Sequence, residues 1–404
     1  MSKDSGALPG HDRAAVVDWL LGDARMLPDV PEVLDAFCAR MVAAGVPLTR
    51  CALALRLLHP LFRMMTVFWR HGQGIVRVAE REHGSENTPE YRNSPVAAII
   101  DAGAGAMRFR LEQMAEPWPF PVLDELKGQN ITDYAVMALP FSNGRRNMLS
   151  VATDRPGGFT TADLALVDGV LPALATVLEL KAVNRLAGTV LDTYVGRRSG
   201  ARILSGDIRR GTGAALRAVL WHCDLRGFTP LADRLPSEEL IALLNGYFEI
   251  MGGAIEARDG EILKFIGDAV LAVFPLPDAP CAVDCEEEAC VRALDAAEEA
   301  LAGMARLNAE RAAWGQPTLR YGLALHIGDV MYGNIGAPNR LDFTVIGPAV
   351  NLVSRIEGLC ARMDRAVLTS EAFARHCPDR LASLGWQPVK GLVEPVQVFG
   401  LKTS

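Results

Sequence analysis

The chain has 404 residues, of which 50% are hydrophobic, 22% charged and 6% aromatic. This apolar share supports packed cores and excludes a largely disordered chain, and the length predicts roughly two or three domains. Since 41 Lys and Arg residues face 48 Asp and Glu residues, the net charge is −7. A net acidic chain lacks the basic footprint of a nucleic-acid-binding protein, so we expect no nucleic-acid partner.

The sequence also predicts a cytoplasmic protein without membrane insertion. The N-terminus carries charged residues and a Pro-Gly pair where a secretory signal needs an apolar core, and Arg56 and Arg63 interrupt a long apolar stretch. Eight cysteines agree with a reducing compartment. The spacing of Cys281, Cys285 and Cys290 matches no zinc pattern, so we interpret them as part of a surface loop and a helix face.

The first part of the chain has the pattern of an α/β unit. Residues 14–45 carry apolar side chains at helical spacing, and Thr160 can cap a later helix in which Asp163 lies three residues on. Five segments have strand-like composition: residues 51–58, 64–71, 74–80, 134–141 and 147–154. In this order of elements, residues 15–182 resemble a GAF domain, which follows an N-terminal tail, residues 1–14. A PAS-like domain is the alternative.

Either resemblance implies a regulatory sensor or dimerisation unit with a small-molecule ligand that the sequence does not identify. Apolar residues between 167 and 194 continue at spacings of three or four, and Pro172 and Gly188 should weaken or bend that helix. It is either a packing helix of the first domain or a parallel dimer stalk. We favour the stalk because a Gly- and Arg-rich linker follows, which makes residues 183–213 a helical linker.

Two carboxylates mark the second half. Residues 217–223 predict a buried strand that ends at Asp224, before a Gly-containing turn. Residues 260–274 predict two strands that turn at Gly267 and Asp268, with Lys264 in the first strand on the same face as its apolar neighbours at positions 262 and 266. Each Asp alone is explained as a turn residue. Together, at the ends of adjacent strands, they predict a site for one or two Mg²⁺ ions that carry a polyphosphate.

A third group of polar residues follows two predicted strands, 319–325 and 340–346. Pro348 begins a helix in the position that proline favours. Asn351 and Arg355 are four residues apart, so they project from one face of that helix. This pair is either a solvated polar stripe or a site in which the Arg neutralises phosphate and the Asn orients a sugar.

Four ordered motifs, CDLRGFT, GEILKFIGDAVLAVF, GNIGAPNRLDFTVIGPAVNLVSRIE and VKGLVEPVQVFGL, resemble a class III nucleotidyl cyclase catalytic domain over residues 214–404. The resemblance implies a ferredoxin-like α/β (α+β) fold that acts as a head-to-tail homodimer with active sites at the interface. It also implies an adenylate cyclase, which converts ATP to 3′,5′-cyclic AMP and pyrophosphate. A guanylate cyclase and a catalytically silent nucleotide-sensing module are the alternatives.

The resemblance implies a role for each matched residue. Asp224 and Asp268 would hold two Mg²⁺ or Mn²⁺ ions from one protomer. Asn351 would position the ribose and Arg355 would stabilise the transition state from the other protomer. Lys264 would donate a hydrogen bond to adenine and so select ATP over GTP, because guanylate-specific members usually carry an acidic residue there.

The remaining matched residues concern the phosphates and the base. The backbone N–H groups of Gly227, Phe228 and Thr229 would face the phosphates, and Lys390 would contact the β- and γ-phosphates. Thr344 would assist in reading the purine, at a position where many members have Asp. A Thr here is a feature of members that often respond to bicarbonate, so bicarbonate as an effector is a hypothesis.

Overall fold

The computed structural model describes residues 10–209, 211–276 and 285–402. The chain forms two compact units, Met1–Val190 and Leu191–Ser404. The domain limits that the sequence predicts, with a separate linker over 183–213, stay predictions.

The first unit is built on a six-stranded antiparallel sheet in the order β3-β2-β1-β6-β5-β4. Its strands are β1 (Arg50–Arg56), β2 (Phe62–Arg70), β3 (Gly74–Glu82), β4 (Ala106–Arg110), β5 (Asp133–Pro140) and β6 (Arg146–Thr153). Its helices are α1 (Gly10–Leu21), α2 (Val30–Ala43), α3 (Pro89–Arg92), α4 (Pro95–Ile100), α5 (Val122–Gly128) and α6 (Thr161–Val195), whose last turn passes into the second unit.

Strand alternation divides the first unit into two cores. Leu53 and Val67 point toward α1, α2 and α6, where they pack with Phe37 and Leu174. Residues on the opposite face pack beneath α3, α4 and α5. All five strands that the sequence indicates are present, and β4 lies in a segment for which no strand is predicted.

The start of α6 is a reciprocal cap, as the sequence predicts. The amide of Asp163 donates to Thr160 Oγ1 at 3.1 Å, and the amide of Thr160 donates to the Asp163 carboxylate at 2.7 Å. The helix continues through Pro172 and Gly188. By length and composition, α6 is the one helix in the described part of the chain that could cross a membrane, but half of its most apolar stretch is buried, which is typical of a core helix.

The second unit contains an eight-stranded sheet in the order β13-β14-β12-β10-β7-β9-β8, with β11 paired to β10. Its strands are β7 (Gly213–Arg226), β8 (Glu261–Ile266), β9 (Ala269–Pro275), β10 (Arg320–Ala337), β11 (Arg340–Ile346), β12 (Val367–Ser370), β13 (Leu381–Gln387) and β14 (Val396–Leu401). Its helices are α7 (Arg197–Leu204), α8 (Phe228–Ala232), α9 (Ser237–Glu256), α10 (Cys285–Ala313), α11 (Pro348–Arg362) and α12 (Glu371–Ala374).

The core of this unit has the β-α-β-β-α-β order of ferredoxin-like folds, with β7 between β9 and β10. Helices α9 and α10 cover one face of the sheet, where Tyr247 and Leu294 are buried, and α11 covers the other through Val353 and Ile356. Cys285 and Cys290 lie on α10, and Cys290 is on its buried face. Cys281 lies outside the described residues.

Helix α7 occupies the first half of the predicted Gly- and Arg-rich linker. The Glu261 carboxylate of β8 accepts hydrogen bonds from the amides of Arg198 and Ser199, both at 3.1 Å. Ser199 and Gly200 are buried. The helix therefore forms because a distant strand supplies its cap, which local composition cannot indicate.

Candidate active site

The sheet brings Asp224 and Asp268 together. Asp224 lies near the end of β7, and Cys223 pairs with Val270 of β9. Gly267 and Asp268 form the two-residue turn between β8 and β9, and Gly267 has a φ of 65°, which favours glycine. The predicted hairpin is confirmed, and its tip lies beside the end of β7.

The electrostatics of this pair favour a bound cation. Asp224 Oδ1 is buried and has no hydrogen-bond partner in the described part of the chain. Burial, and then the neighbouring Asp268 carboxylate, raise the pKa of Asp224 to about 6. A divalent cation between the two groups would offset both effects, and carboxylate oxygens are ligands that Mg²⁺ and Mn²⁺ prefer.

The two carboxylates supply only part of a coordination sphere. Within the described residues, no group of three or more His, Cys, Asp or Glu side chains could hold a metal ion. Mg²⁺ commonly binds through one or two carboxylates together with water and substrate phosphates. The pair therefore fits a metal that arrives with a nucleotide.

A third carboxyl group, which the sequence analysis missed, lies close to this pair. Glu357 of α11 lies over Gly322 of β10, and a Cβ atom at Gly322 would overlap Glu357 Oε1. Gly322 is the β10 partner of Asp224. Burial, with the charges of Asp224 and Asp268, raises the pKa of Glu357 to about 7. The sequence feature that could have indicated this residue is a Glu on the apolar side of a helix that packs on a strand containing a glycine.

Asn351 and Arg355 lie on consecutive turns of α11. Asn351 is exposed and Arg355 is half-buried. In the described structure neither side chain has a hydrogen bond or an ion pair with another residue. A Cβ atom at Gly391 would lie 3.3 Å from Arg355 Nη2, so the guanidinium borders the loop that carries Lys390. The fold thus places the Arg355 guanidinium next to the residue that follows Lys390 in the chain.

Within one chain, the cationic and carboxylate groups do not converge. Arg355 and Glu357 are two residues apart, which places them about 200° apart around α11. Glu357 faces Asp224, whereas Arg355 faces the Lys390 loop and forms no ion pair with Asp224 or Asp268 in the described structure.

Lys264 pairs with Asp342, a residue that the sequence analysis did not single out. The ammonium of Lys264 on β8 forms an ion pair with the Asp342 carboxylate on β11. Thr344 is buried two residues further along β11, and its Oγ1 has no hydrogen-bond partner within the described residues. Asp342 was missed because β11 meets β8 only in the folded sheet. The base-reading role of Thr344 stays a prediction.

A β-bulge changes the predicted face of Lys264. The register shifts between Ile262 and Lys264, so the two side chains do not share a face as the sequence predicts. Ile262 contacts Gly252 on α9. Lys264 instead extends toward β11, where a carboxylate offsets its burial.

The turn after Asp224 has the conformation that the motif requires. Gly227 has a φ of 71° and immediately precedes α8. Phe228 and Thr229 form the first turn of α8, where N–H groups have no intrahelical acceptor. Their contact with phosphates stays a prediction.

With this geometry established, comparison with known proteins identifies the second unit. Residues 217–377 match the family model of the adenylate and guanylate cyclase catalytic domain. The chain carries a nucleotidyl cyclase catalytic domain. The match begins within β7 and ends after α12, so it includes Asp224, Lys264, Asp268 and Arg355.

Two named relatives are similar to less than half of this chain. An adenylate cyclase from Anabaena cylindrica is 33% identical over 206 residues, which are 48% of this chain and 39% of that protein. Adenylate cyclase 1 of Rhizobium meliloti is 32% identical over 178 residues, covering 44% of this chain and 26% of that one. The chain therefore spans less than half the length of these relatives.

Among solved structures, the adenylyl cyclase CyaB from P. aeruginosa is similar to 48% of this chain, with 97% of its own chain covered. The sequence identity is 29% and the TM-score is 0.42.

Proposed function

We propose that this protein is an adenylate cyclase, which forms cyclic AMP and pyrophosphate from ATP at the interface of a homodimer. One observation carries the proposal. Inside a nucleotidyl cyclase catalytic domain, Asp224 and Asp268 present adjacent carboxylates, and one buried oxygen lacks a partner. This is the chemistry of a site that binds a divalent cation with a polyphosphate.

Asp224 and Asp268 would hold two Mg²⁺ or Mn²⁺ ions. When bound, such ions lower the pKa of an attacking ribose hydroxyl and neutralise a leaving pyrophosphate. The protein's own contribution is to keep the two carboxylates rigid, at the end of β7 and in a two-residue turn. No side chain at the site is assigned as the general base.

Cationic groups on and beside α11 would act on the phosphates. Arg355, which has no ion pair with any described carboxylate, would stabilise the negative charge that develops at the reacting phosphate. Lys390 would bind the β- and γ-phosphates, and Asn351 would orient the ribose. The amides of Gly227, Phe228 and Thr229 complete the phosphate contacts in this proposal.

Base selection would depend on β8 and β11. Lys264 would donate to a ring nitrogen of adenine, and Thr344 Oγ1 is free to bond the exocyclic amine. The named relatives are adenylate cyclases. Asp342 is the observation that favours the alternative, guanylate cyclase, since a carboxylate next to Lys264 can accept hydrogen bonds from guanine.

A homodimer would unite the separated groups. Asp224 and Asp268 of one protomer would meet Asn351 and Arg355 of its partner, which gives two equivalent sites. An exposed apolar stripe on the second half of α6 supports pairing of two copies. It comprises Leu180, Val183, Val190 and Tyr194, which are 37–75% exposed and recur at heptad-like spacing.

Regulation of this activity is assigned to the first unit. In our proposal that unit is a GAF-like sensor that binds a small molecule in the cytoplasm, and bicarbonate is a second effector, suggested by Thr344. The six-stranded sheet with helices on both faces supports a separately folded sensor.

The direct test is production of cyclic nucleotide by the purified full chain from ATP and from GTP, with Mg²⁺ and then Mn²⁺. We expect cyclic AMP from ATP, and a loss of at least about a hundredfold in turnover for Asp268→Asn, because the lost carboxylate cannot be replaced by an amide at a cation site. Asp379→Asn is the matched control, since Asp379 is exposed and forms no ion pair in the described structure.

Cyclic GMP as the main product would favour the guanylate cyclase alternative. ATP binding without turnover by the full chain or by residues 191–404 would support a silent sensing module. Equal turnover by the wild type and Asp268→Asn would overturn the assignment of this carboxylate.

A further inference from the structure

The first unit contains a large cavity that the proposed cyclase activity does not use. It has a volume of about 600 Å³ and lies on the sheet face opposite the α1–α2–α6 core, beneath α3, α4 and α5. Its floor combines apolar side chains with three hydroxyl-bearing ones, and it includes Ala52, Met64, Thr66, Tyr134, Met148 and Ser150. The cavity is therefore large enough for an organic molecule.

The register of strands β1, β2 and β3 places several arginines at one end of this cavity. Arg50 of β1 and Arg70 of β2 are directly opposite each other. Arg77 of β3 is opposite Phe68, so it lies on the same face as the other two. Like charges at opposed positions of an antiparallel pair are destabilising unless other charges offset them.

The protein offsets little of this positive charge. Arg50 pairs with Glu125 at 3.1 Å. Arg50 and Arg70 both donate to the neutral Gln129 Oε1, at 3.4 and 3.1 Å. Among the described residues, no carboxylate pairs with Arg70, Arg77 or the neighbouring cavity residue Arg81. The carboxylates of Glu90 and Glu125 also line the cavity, and Glu125 pairs with Arg50. Within the described residues, the guanidinium groups of Arg70, Arg77 and Arg81 therefore border the cavity without an ion pair.

The same end of the cavity offers a flat aromatic surface. The guanidinium carbons of Arg50 and Arg77 lie 5.8 and 6.0 Å from the centroid of the Phe68 ring. A planar apolar group could pack on this ring and on the floor, while its charged end stays within reach of the arginines.

We propose that this cavity binds an organic anion, in which a phosphate or carboxylate group pairs with Arg70 and Arg77 and an aromatic or other apolar body packs against Phe68 and the floor. Guanidinium groups bind both kinds of anion in a bidentate manner, so the chemistry is shared. The ligand would offset the repulsion between opposed arginines, and its binding would therefore stabilise the first unit.

The test is isothermal titration of the full chain with three probes of one shape: naphthyl phosphate, naphthoate and uncharged naphthol. We expect at least one of the anions to bind about tenfold or more tightly than naphthol, since charge-assisted pairs are lost with naphthol. The stronger of the two anions identifies the headgroup. Equal affinity of naphthol and both anions, or no binding of either anion, would overturn the proposal.

Variants locate the site. The double variant Arg70→Gln with Arg77→Gln should bind the anion about tenfold or more weakly than the wild type does, and its affinity for naphthol should be unchanged. Arg25→Gln with Arg110→Gln removes the same charge from positions outside the cavity and should change neither affinity. Anion binding that persists in the cavity double variant would place it elsewhere, for example at the cyclase site, and would refute the proposal.

The comparison of the charged and uncharged probes uses the wild type, so it stands even where the double variant does not fold. Binding is measured directly. A failure of the proposed cyclase activity therefore does not affect the result.

Discussion

Lys264 shows how one side chain connects the fold to substrate choice. A Lys amine among apolar neighbours needs a partner, and here Asp342 provides it before any nucleotide is bound. A ligand that binds between β8 and β11 must either replace Asp342 as the partner of Lys264 or form hydrogen bonds to the intact ion pair. The identity of the residue at position 264 should therefore control which purine is accepted.

Lys264→Glu should shift the ratio of ATP to GTP turnover toward GTP by about tenfold or more, because a donor to adenine becomes an acceptor for guanine beside Asp342. The ratio is measured as kcat/KM for each nucleotide. Lys402→Glu is the same charge reversal at a residue whose amine donates to the Pro378 carbonyl and forms no ion pair among the described residues, and it should leave the ratio unchanged. An unchanged ratio in Lys264→Glu would remove this residue from base selection.

His326 gives a residue-scale prediction about stability. It is buried on β10, its Nδ1 lies 2.8 Å from Ser370 Oγ, and burial, with the nearby Arg217 charge, lowers its pKa to about 4. Because the folded-state pKa lies below the ordinary 6.5, the unfolded chain takes up the proton first. The stabilising contribution is therefore fully present above pH 6.5 and is lost as the pH falls toward 4.

Between pH 6.5 and about 4, the titration of His326 should lower the free energy of unfolding of the second unit by on the order of 3 kcal/mol. In His326→Gln, the free energy of unfolding should fall less steeply as the pH is lowered. In His71→Gln, at an exposed position of the first unit, it should fall as it does in the wild type. Hydrogen exchange of peptides that cover β10, corrected for intrinsic exchange rates, measures the effect. Parallel declines in the wild type and His326→Gln would contradict the prediction.

At the scale of elements, α7 links the chain that follows α6 to the catalytic sheet. Besides its contacts with two α7 amides, Glu261 accepts a hydrogen bond from Tyr332 of β10, whose hydroxyl also lies 2.8 Å from Ser199 Oγ. The Arg202 guanidinium packs 5.2 Å from the ring of Phe343, which lies between Asp342 and Thr344. One short helix therefore contacts both strands assigned to the purine.

Glu261→Ala should destabilise the second unit by about 2–4 kcal/mol, because it leaves buried amides and hydroxyls without an acceptor. Faster hydrogen exchange in residues 197–204 should accompany the loss. Glu256→Ala, at an exposed position near the end of α9, is the control. Unchanged exchange in α7 would mean that the cap does not hold this helix.

At the scale of the whole molecule, Arg355 and the two carboxylates face different parts of the second unit. The proposal places each site across two copies. Two inactive chains with lesions on opposite sides of the site should therefore complement each other.

Mixing Asp268→Asn with Arg355→Ala chains, after exchange of protomers, should restore about a quarter of the wild-type activity, since half of the dimers are mixed and each has one intact site. Cyclic AMP production is the measurement. Mixing Asp268→Asn with Asp224→Asn chains is the control, because both lesions fall on the same side and no intact site forms. Equal activity in the two mixtures would mean that the site lies within a single chain.

The amino-acid sequence by itself determined the local features. Alternation placed the β8–β9 hairpin and its Gly267 turn, Thr160 and Asp163 marked the start of α6, and motif order identified the cyclase domain, because such signals lie within a few residues of one another. Only the tertiary structure decided that Asp342 pairs with Lys264, that Glu357 lies beside Asp224, and that Arg50 opposes Arg70. These contacts join residues far apart in the chain, so register, a bulge and packing set them, and no local pattern records them.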